Sequence, residues 1–183
     1  MGGTFNPVHV GHLILAQEVQ AELGFDTVLF VPSFLPAHKP APDASAEDRL
    51  AMLRAAVEGI PGFAVDECEL RRGGVSYTID TIEQVSRSYS LARKPGLIVG
   101  DDLAAGFSTW REPEAVAAAS EIVLAHRELV EEIAFLYPHR YCHNPLVAIS
   151  SSSVRARVRR GLPIRFHVPD AVAHHIEARG LYR

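Results

Sequence analysis

The sequence predicts an α/β fold, a doubly wound parallel sheet with helices on both faces. Two observations predict it. Short, wholly apolar runs rich in β-branched residues, such as TVLFVP at residues 27–32, are typical of strands buried in a parallel sheet. These runs alternate with longer segments whose apolar residues recur at helical spacing. Strands that alternate with helices in this way form parallel sheets covered by helices on both faces.

In the first half of the chain, the predicted order is helix, strand, helix, strand. HLILAQEVQAEL at residues 12–23 carries apolar residues at helical spacing, and the strand at residues 27–32 follows it. SAED at residues 45–48 is a capping box, which predicts that a helix begins after Ser45. FAVDECEL at residues 63–70 alternates loosely between apolar and polar residues, and this pattern predicts a strand.

In the second half, helical spacing and end signals predict four helices. Pro113 stands in the first turn of one helix, and Gly180 ends the last. Three apolar runs between these four helices predict strands. The helices are predicted at residues 77–89, 112–120, 150–160 and 169–180, and the strands at residues 96–100, 121–126 and 146–149.

Composition indicates the class of protein. The chain has 183 residues, of which 48% are hydrophobic and 22% charged, so it fits one globular domain over residues 1–183. A net charge of −4, with no basic cluster longer than RVRR at residues 157–160, argues against a nucleic-acid surface. The 2 cysteines make no disulfide framework, and no segment resembles a signal peptide or a membrane span. We therefore expect a cytoplasmic protein with no nucleic-acid or membrane partner, while monomer and homo-oligomer both stay open.

The stretch GGTFNPVHVGH at residues 2–12 stands at a predicted turn into a helix, where parallel sheets bind their ligands. Gly2 and Gly3 carry no side chains, so a ligand can approach the backbone closely. A helix start favours an anion, and His9 and His12 add directional donors that protonate readily beside one. The pattern predicts an anion site. The simpler alternative is a turn shaped by glycine and proline, with two surface histidines.

ISSSSVR at residues 149–155 opens a second helix. Its four hydroxyl groups are more than one helix cap requires. Arg155 adds a planar guanidinium fork that suits bidentate contact with a phosphate. By itself this stretch could be a redundant serine cap with a solvated arginine. Paired with the first motif, it predicts the other side of a clamp for a triphosphate.

GTFNPVHVGH and ISSSSVR resemble the signatures of the nucleotidylyltransferase superfamily, a T-x-x-P-x-H-x-G-H turn and an I-S-S-T-x-x-R-type helix start. Within it, the whole chain resembles the bacterial nicotinate-nucleotide adenylyltransferases. Asn6 stands where that family more often has aspartate, and Ser152 where threonine is usual, but both still form hydrogen bonds. The other matching stretches are PAHKP at residues 36–40, VSYT at 75–78, GDD at 100–102, FSTW at 107–110 and the closing GLYR.

The resemblance implies three groups of site residues. The catalytic group, which would bind and polarise the triphosphate, comprises His9, His12 and Arg155. The group that would line ATP comprises Gly3, Thr4, Phe5, Ser151, Ser152 and, at the ribose, Asp102. The acceptor group comprises His38 and Lys39 in a loop over the site, Tyr77 and Thr78 at the nicotinate carboxylate, and Trp110 on the pyridine ring.

The activity that the resemblance implies is adenylyl transfer from ATP to nicotinate mononucleotide in NAD biosynthesis. The attacking phosphate is already anionic, so catalysis reduces to in-line positioning and charge neutralisation. Mg²⁺ would travel with ATP, while His139, Cys142 and His143 lack the second pair that a protein metal site needs. Two alternatives stay open. One is a sibling adenylyltransferase that uses nicotinamide mononucleotide or pantetheine phosphate, and the other is a nucleotide-binding module without turnover.

The start of the sequence carries one further expectation. Gly2 and Gly3 should end a strand, yet only Met1 precedes them. The first strand of a doubly wound sheet is central, and an empty slot would leave buried backbone groups unpaired at about 1–3 kcal/mol each. We expect this first strand to be missing from the sequence, with about five to ten apolar residues upstream, unless another segment fills the slot.

Overall fold

The computed structural model of the protein describes residues 1–37, 40–127 and 132–183. Helices and strands alternate along most of it. The strands are β1 (Gly2–Gly3), β2 (Val28–Pro32), β3 (Leu35–Pro36), β4 (Phe63–Val65), β5 (Val75–Ser76), β6 (Gly96–Gly100), β7 (Glu121–Ala125) and β8 (His139–Cys142). The helices are α1 (Val10–Leu23), α2 (Ala46–Val57), α3 (Cys68–Arg72), α4 (Thr78–Ser88), α5 (Asp101–Ala104), α6 (Pro113–Ala119), α7 (Ser151–Arg159) and α8 (Asp170–Arg179), with a 3-10 turn at Phe107–Thr109.

Every strand pairing in the described part of the chain is parallel. Two three-stranded sheets have the orders β1-β2-β4 and β6-β7-β8, and a short third pairing joins β3 to β5. Ile98 of β6 packs both against the apolar cluster that contains Phe30 of β2 and against the cluster that contains Val123 of β7. The two larger sheets therefore share an apolar interior, and the predicted parallel α/β fold is confirmed.

Strand β7 shows how helices cover both faces of the sheet. Successive side chains of a strand point to opposite faces. Ile122 and Leu124 pack in a cluster with α4 and α6, whereas Val123 and Ala125 pack in a cluster with α1. Residues 122–125 of this strand are apolar because both of its faces are covered, as the apolar run in the sequence predicts.

Helices α2 and α8 pack together in the apolar cluster beside β2, and Asp48 joins them. Its carboxylate lies 3.0 Å from Ser45 Oγ, 3.0 Å from His175 Nε2 and 3.1 Å from Arg179 Nε. Ser45 Oγ also accepts the Asp48 N–H at 3.0 Å, so the predicted cap is present. Burial by itself would raise the pKa of the Asp48 carboxyl, but the hydrogen bonds from His175, Ser45 and Arg179 outweigh burial and hold that pKa below its ordinary value.

The strand predicted at residues 146–149 is wrong. The strand beside β7 is β8, which pairs Ile122 with His139 and Ala125 with Cys142. Residues 143–150 have no regular structure, and Pro145 cannot donate a ladder hydrogen bond. A short apolar run indicates burial, but the pairing with β7 decides which segment becomes the strand.

The strand predicted at residues 63–70 is correct only in its first half. Strand β4 ends at Val65, and the Oδ1 atom of Asp66 then accepts a hydrogen bond from the Cys68 N–H at 2.8 Å. An aspartate that binds the backbone two residues ahead favours a turn. The chain therefore leaves the sheet at Asp66 and begins α3.

Gly2 and Gly3 form the short strand β1, so they do end a strand as predicted. This strand pairs with β2, and the Ser33 N–H donates to the Gly3 carbonyl at 2.9 Å just beyond the pairing. The α-amino group of Met1 donates to the Leu29 carbonyl at 2.9 Å. The apolar strand expected upstream stays a prediction.

We expect Asp48→Asn to lower the free energy of unfolding at neutral pH by about 1–3 kcal/mol, because His175 and Arg179 on α8 lose a charged acceptor. The matched control is Glu47→Gln, which removes an exposed carboxylate from the same first turn of α2. Urea unfolding of both variants measures the difference. Equal losses in the two variants would show that Asp48 joins the helices no better than a surface charge does.

The change of stability with pH tests the same contribution of Asp48. The pKa of Asp48 is lower in the folded than in the unfolded protein, so its stabilisation is present above about pH 4 and is lost as the pH falls through the folded value. The acid limb of the stability curve should therefore flatten in Asp48→Asn. An unchanged acid limb in that variant would contradict the assignment.

Candidate active site

The N-terminal turn, residues 4–9, connects β1 to α1. Phe5 has a φ of 48°, is 2% exposed and has its ring edge-on to His12, with the ring centroids 5.1 Å apart. A Cβ atom on Gly3 would lie 3.0 Å from the Phe5 ring, so glycine leaves the space that this ring needs. The Phe5 side chain thus belongs to the core, and only its backbone can contact a ligand.

Side chains from distant helices hold the backbone carbonyls of the N-terminal turn. The hydrogen bonds run from Arg49 Nη1 to Thr4 O at 2.9 Å, from Arg155 Nη1 to Asn6 O at 2.9 Å, and from Ser151 Oγ to Pro7 O at 2.8 Å. Ser151 and Arg155 both belong to α7, so the start of α7 is fixed beside the turn. The two motifs singled out in the sequence are therefore neighbours in the structure.

The side chain of Asn6 fastens the turn to two further parts of the chain. Its Oδ1 atom accepts hydrogen bonds from the Tyr182 hydroxyl at 2.8 Å and from the Ala44 N–H at 3.3 Å. Asn6 is 6% exposed, so these bonds are needed to satisfy a buried oxygen. An aspartate would offer the same acceptor, which explains how asparagine can stand at this position.

His9 and His12 lie at the start of α1, with ring centroids 3.6 Å apart. The N–H of His9, the N-cap residue, donates to His12 Nδ1 at 3.2 Å. A neutral imidazole that accepts at Nδ1 carries its proton on Nε2. A Cβ atom on Gly11 would lie 3.1 Å from His9 Nδ1, so glycine allows the His9 ring to fold over the helix start. The H-x-G-H spacing is thus a packing requirement as well as a chemical one.

His9 is uncharged in this structure. It is 3% exposed, and burial first and the positive charge of Arg127 second lower its pKa to about 3. The expectation that both histidines protonate readily concerns the site with an anion beside them, and it stays a prediction. The Nδ1 atom of His9 is buried and has no hydrogen-bond partner in the described part of the chain. By itself the protein thus holds His9 as a neutral hydrogen-bonding group.

The serines at the start of α7 divide into two tasks. Ser150 Oγ accepts the Ser153 N–H at 3.1 Å and the Ser150 N–H donates to Ser153 Oγ at 3.1 Å, so these two form a capping box. Ser151 instead binds the N-terminal turn, and Ser152 Oγ lies 2.9 Å from Ser150 Oγ. A redundant cap explains Ser150 and Ser153 but not Ser151.

Arg155 is paired with Asp43, which lies in the proline-rich loop of residues 33–45 before α2. Its Nε atom is 2.7 Å from Asp43 Oδ2, but Nε makes no hydrogen bond of normal geometry, so this contact is a poorly aligned ion pair. Arg159, one turn further along α7, lies 3.7 Å from the same carboxylate. Two cations of α7 therefore face an anion that the protein itself provides.

Asp102 lies at the carboxyl end of β6 with its side chain exposed, next to the buried Asp101. Asp101 Oδ1 accepts the Arg127 N–H at 3.0 Å, and the stem of Arg127 passes over Gly100. The charge of Arg127 also acts on His9. Arg127 therefore connects the end of β6, where Asp102 lies, with the surroundings of His9.

Tyr77, Thr78 and Trp110 lie at the start of α4. Tyr77 is the N-cap residue and Thr78 is the first helical residue. Tyr77 and Trp110 are half-buried on the same apolar cluster, where the Trp110 ring is 4.8 Å from the ring of Phe107. The guanidinium group of Arg111 lies 4.8 Å from the centroid of the Tyr77 ring. The structure thus brings these three predicted residues together and adds a cation beside them.

His38 and Lys39 lie outside the described residues. The segment before them contains β3, which pairs in parallel with β5. Strand β5 ends at Ser76, directly before Tyr77. The described part of the proline-rich loop is therefore tied to the start of α4.

Two further searches were limited to the described residues. No group of three or more His, Cys, Asp and Glu side chains within residues 1–37, 40–127 and 132–183 could hold a metal ion. No helix in those ranges is both long and apolar enough to cross a membrane.

Comparison with known proteins decides the family. The model of the cytidylyltransferase-like family matches residues 1–157. A probable nicotinate-nucleotide adenylyltransferase from Borrelia turicatae is 38% identical over 182 residues, which cover 100% of this chain and 95% of that protein. One from Borreliella burgdorferi is 39% identical over 183 residues, covering 100% of this chain and 94% of that protein. The chain belongs to the cytidylyltransferase-like family, among its nicotinate-nucleotide adenylyltransferases.

A solved structure supports the same fold. The nicotinic acid mononucleotide adenylyltransferase of Plasmodium falciparum, complexed with NaAD, superposes with a TM-score of 0.77 at 16% identity. The superposition covers 99% of this chain and 94% of that chain. The resemblance that the sequence motifs carry is therefore confirmed, and this adenylyltransferase has the family's parallel α/β architecture.

Sequence reasoning missed the residues of this adenylyltransferase that act through tertiary contacts. Asp43, Arg49 and Arg127 stand in no motif, and each reaches the site from a segment far from residues 2–12 in sequence. Tyr182 had a signal, since it lies in the closing GLYR, but its partner Asn6 could not be inferred from spacing.

Histidine titration by NMR tests the electrostatics of the site. The pKa of His9 is about 3, so its ring signals should not shift between pH 5 and pH 8. His143 is the internal comparison, because hydrogen bonding to Glu22 first and the charge of Glu22 second raise its pKa. Its signals should titrate above the ordinary value of about 6.5. A His9 signal, assigned with His9→Gln, that titrates near pH 6.5 would contradict the burial of a neutral ring.

Proposed function

We propose that this protein transfers the adenylyl group of ATP to nicotinate mononucleotide, giving nicotinate adenine dinucleotide and pyrophosphate in NAD biosynthesis. Relatives that match the full length of the chain carry the corresponding name. The observation that carries the proposal is the joining of two helix starts, because Ser151 and Arg155 bind the turn that leads to His9 and His12. Two helix starts side by side suit a chain of phosphates.

The reaction is an in-line displacement at phosphorus. A 5′-phosphate oxygen of the mononucleotide attacks the α-phosphorus of ATP and forms a new P–O bond. The bond to the bridging oxygen breaks, and pyrophosphate leaves with the electron pair. The attacking oxygen is anionic at neutral pH, so no general base is required. The protein has to align the two phosphates and stabilise the charge that gathers on the leaving group.

The triphosphate would be held by His9, His12 and Arg155. With a pKa of about 3 in the ligand-free protein, His9 contributes a directed hydrogen bond, and an adjacent phosphate would favour its charged form. Arg155 supplies a permanent charge, and the phosphates would replace Asp43 beside it. The residues that would line the rest of ATP are Gly3, Thr4 and Phe5 through their backbone, Ser151, Ser152 and, at the ribose, Asp102.

Mg²⁺ would bind together with ATP, coordinated by phosphate oxygens, and would neutralise part of their charge. Arg155 and the starts of α1 and α7 are the protein groups that would stabilise the same charge.

The acceptor would be recognised through its carboxylate. Tyr77 and Thr78 would present the start of α4 to this carboxylate, and Arg111, which lies over the Tyr77 ring, would add a positive charge. Trp110 would stack on the pyridine ring from its half-buried position on the apolar cluster. His38 and Lys39 keep the acceptor role that the resemblance implies.

The setting of the proposed reaction is the cytoplasm. Cys68 and Cys142 are free and buried thiols, which is typical of proteins in a reducing compartment. The proposed partners are ATP and nicotinate mononucleotide. A net charge of −4 gives no support to a nucleic-acid partner.

The deciding experiment is a panel of acceptors in a pyrophosphate-release assay with MgATP. We expect nicotinate mononucleotide to be used at least about 100-fold better, in kcat/KM, than nicotinamide mononucleotide or pantetheine phosphate, because a carboxamide would leave donors unpaired. Equal rates on the acid and the amide would refute the carboxylate site. ATP binding without pyrophosphate release on any acceptor would instead favour a binding module.

We expect His12→Ala and Arg155→Ala each to lower kcat by about 100-fold or more, because each donor would act on charge that grows in the transition state. The matched controls are His174→Ala on α8 and Arg157→Ala, whose side chain bonds to the Pro163 carbonyl on the outside of α7. These controls should stay within about twofold of the wild type. A near-normal kcat in His12→Ala or Arg155→Ala would remove that residue from the clamp.

A further inference from the structure

Arg49 of α2 is a buried cation that binds backbone carbonyls. It is 1% exposed, and its guanidinium group donates to Ser33 O at 2.7 Å, Thr4 O at 2.9 Å and Phe34 O at 3.2 Å. Its Nε atom is buried and has no hydrogen-bond partner in the described part of the chain. All three hydrogen bonds that it makes there go to the main chain and not to an acidic side chain.

Packing does not explain an arginine at this position. Burying a guanidinium group costs free energy, and an apolar side chain of similar volume would fill the space as well or better. Burial lowers the pKa of Arg49, while the negative charge of Glu47 nearby favours its charged form. What an apolar side chain could not do is bind three carbonyl oxygens from two segments of the chain.

The contacts of Arg49 lie where β1 and β2 separate. The last hydrogen bond between the two strands runs from the Ser33 N–H to the Gly3 carbonyl at 2.9 Å. Beyond it, the carbonyls of Thr4 and Ser33 both accept from the same nitrogen, Nη1 of Arg49. The guanidinium group thus continues the link between the strands at the point where they separate.

The third contact continues toward the acceptor side. Nη2 of Arg49 holds the Phe34 carbonyl, and the Phe34 N–H donates to Ser76 Oγ at 3.1 Å. Ser76 directly precedes Tyr77 and Thr78 at the start of α4. A continuous path of hydrogen bonds therefore runs from Thr4, through Arg49 and Phe34, to the residue before Tyr77.

We propose that Arg49 is a positioning residue that sets the distance between the N-terminal turn and the start of α4. The inference rests on the proposed function, in which ATP binds at the first of these places and the acceptor binds at the second. In-line transfer needs the attacking oxygen close to the α-phosphorus, and a displacement of about 1 Å can cost about 100-fold in rate. Arg49 acts on the reaction through the distance between substrates, without touching either substrate.

The test compares Arg49→Lys and Arg49→Gln with the same two changes at Arg54. Arg54 lies on the same helix, its side chain is 60% exposed and it pairs with Glu67. Lysine keeps the charge but cannot span three carbonyls. We expect both Arg49 variants to lower kcat at least about tenfold while each KM changes by less than about threefold, because the sites stay intact and only their spacing is lost. The Arg54 variants should match the wild type.

A second readout does not depend on turnover. Amide hydrogen exchange should become faster in Arg49→Lys both at residues 2–8 and at residues 30–36, and should be unchanged in Arg54→Lys. A purely structural role would lower the melting temperature and leave kcat per folded molecule normal, which would overturn the proposal. Full activity of Arg49→Lys, or an effect on KM alone, would overturn it too. If Arg49→Gln does not fold, Arg49→Lys decides.

Ser76→Ala tests the path itself, because it removes the acceptor of the Phe34 N–H. We expect Ser76→Ala to lower kcat less than Arg49→Lys does. In the double variant, the fold-decrease in kcat should be smaller than the product of the two single decreases. A decrease equal to that product would show that the two residues act independently, and would refute the path.

Failure of the proposed function is distinguishable from failure of this inference. A wild-type protein that turns over no acceptor refutes the proposed function. The exchange measurement then still decides whether Arg49 holds the two segments together, and unchanged exchange in Arg49→Lys refutes that.

Discussion

The site depends on one physical constraint, that the backbone carbonyls of the N-terminal turn must find hydrogen-bond donors where two parallel strands end and separate. Carbonyls that leave a ladder lose their partners, and burial without a partner costs free energy. Side chains of Arg49, Ser151 and Arg155 supply the donors. Those donors belong to α2 and α7, so the contacts that satisfy the turn also place two helices beside it. The same hydrogen bonds therefore satisfy the backbone carbonyls and assemble the site.

The electrostatics of the site follow from how its basic side chains are placed. Basic side chains gathered in one place would repel one another if all of them were charged, and the structure limits this repulsion in two ways. His9 is buried and neutral, with its pKa lowered to about 3. Arg155 and Arg159 share the carboxylate of Asp43. A triphosphate would reverse both conditions, since it favours a charged imidazole and competes with Asp43 for Arg155. His9 and Arg155 can thus supply positive charge to a ligand, although in the protein alone His9 is neutral and Arg155 is paired with Asp43.

The secondary structure could be predicted where local patterns decide it. Helix α2 begins after Ser45 because the hydrogen bond from the Asp48 N–H to Ser45 Oγ is local, and residues 122–125 of β7 are apolar because helices cover both sides of that strand. The prediction failed where pairing with a neighbouring strand decides which residues form a strand. Residues 146–149 are apolar but unpaired, whereas β8 contains His139 and Arg140 and is a strand because β7 lies beside it. The small pairing of β3 with β5 gave no sequence signal, although it connects the proline-rich loop to the start of α4.

The sequence by itself determined the parallel α/β class, the position of both helix starts and the residue types that make them suitable for phosphate, because glycine, histidine and serine act there within a few residues of one another. Only the tertiary structure decided which side chains are charged and which are paired with other parts of the chain. His9 is neutral because distant segments bury it, and Arg155 faces Asp43 because the proline-rich loop returns to α7. Arg49 is an ordinary helical arginine in the sequence and becomes a link between two parts of the site only when β1 and β2 separate beside it. Burial and long-range hydrogen bonding arise from the packed chain as a whole, and no local pattern of residues encodes them.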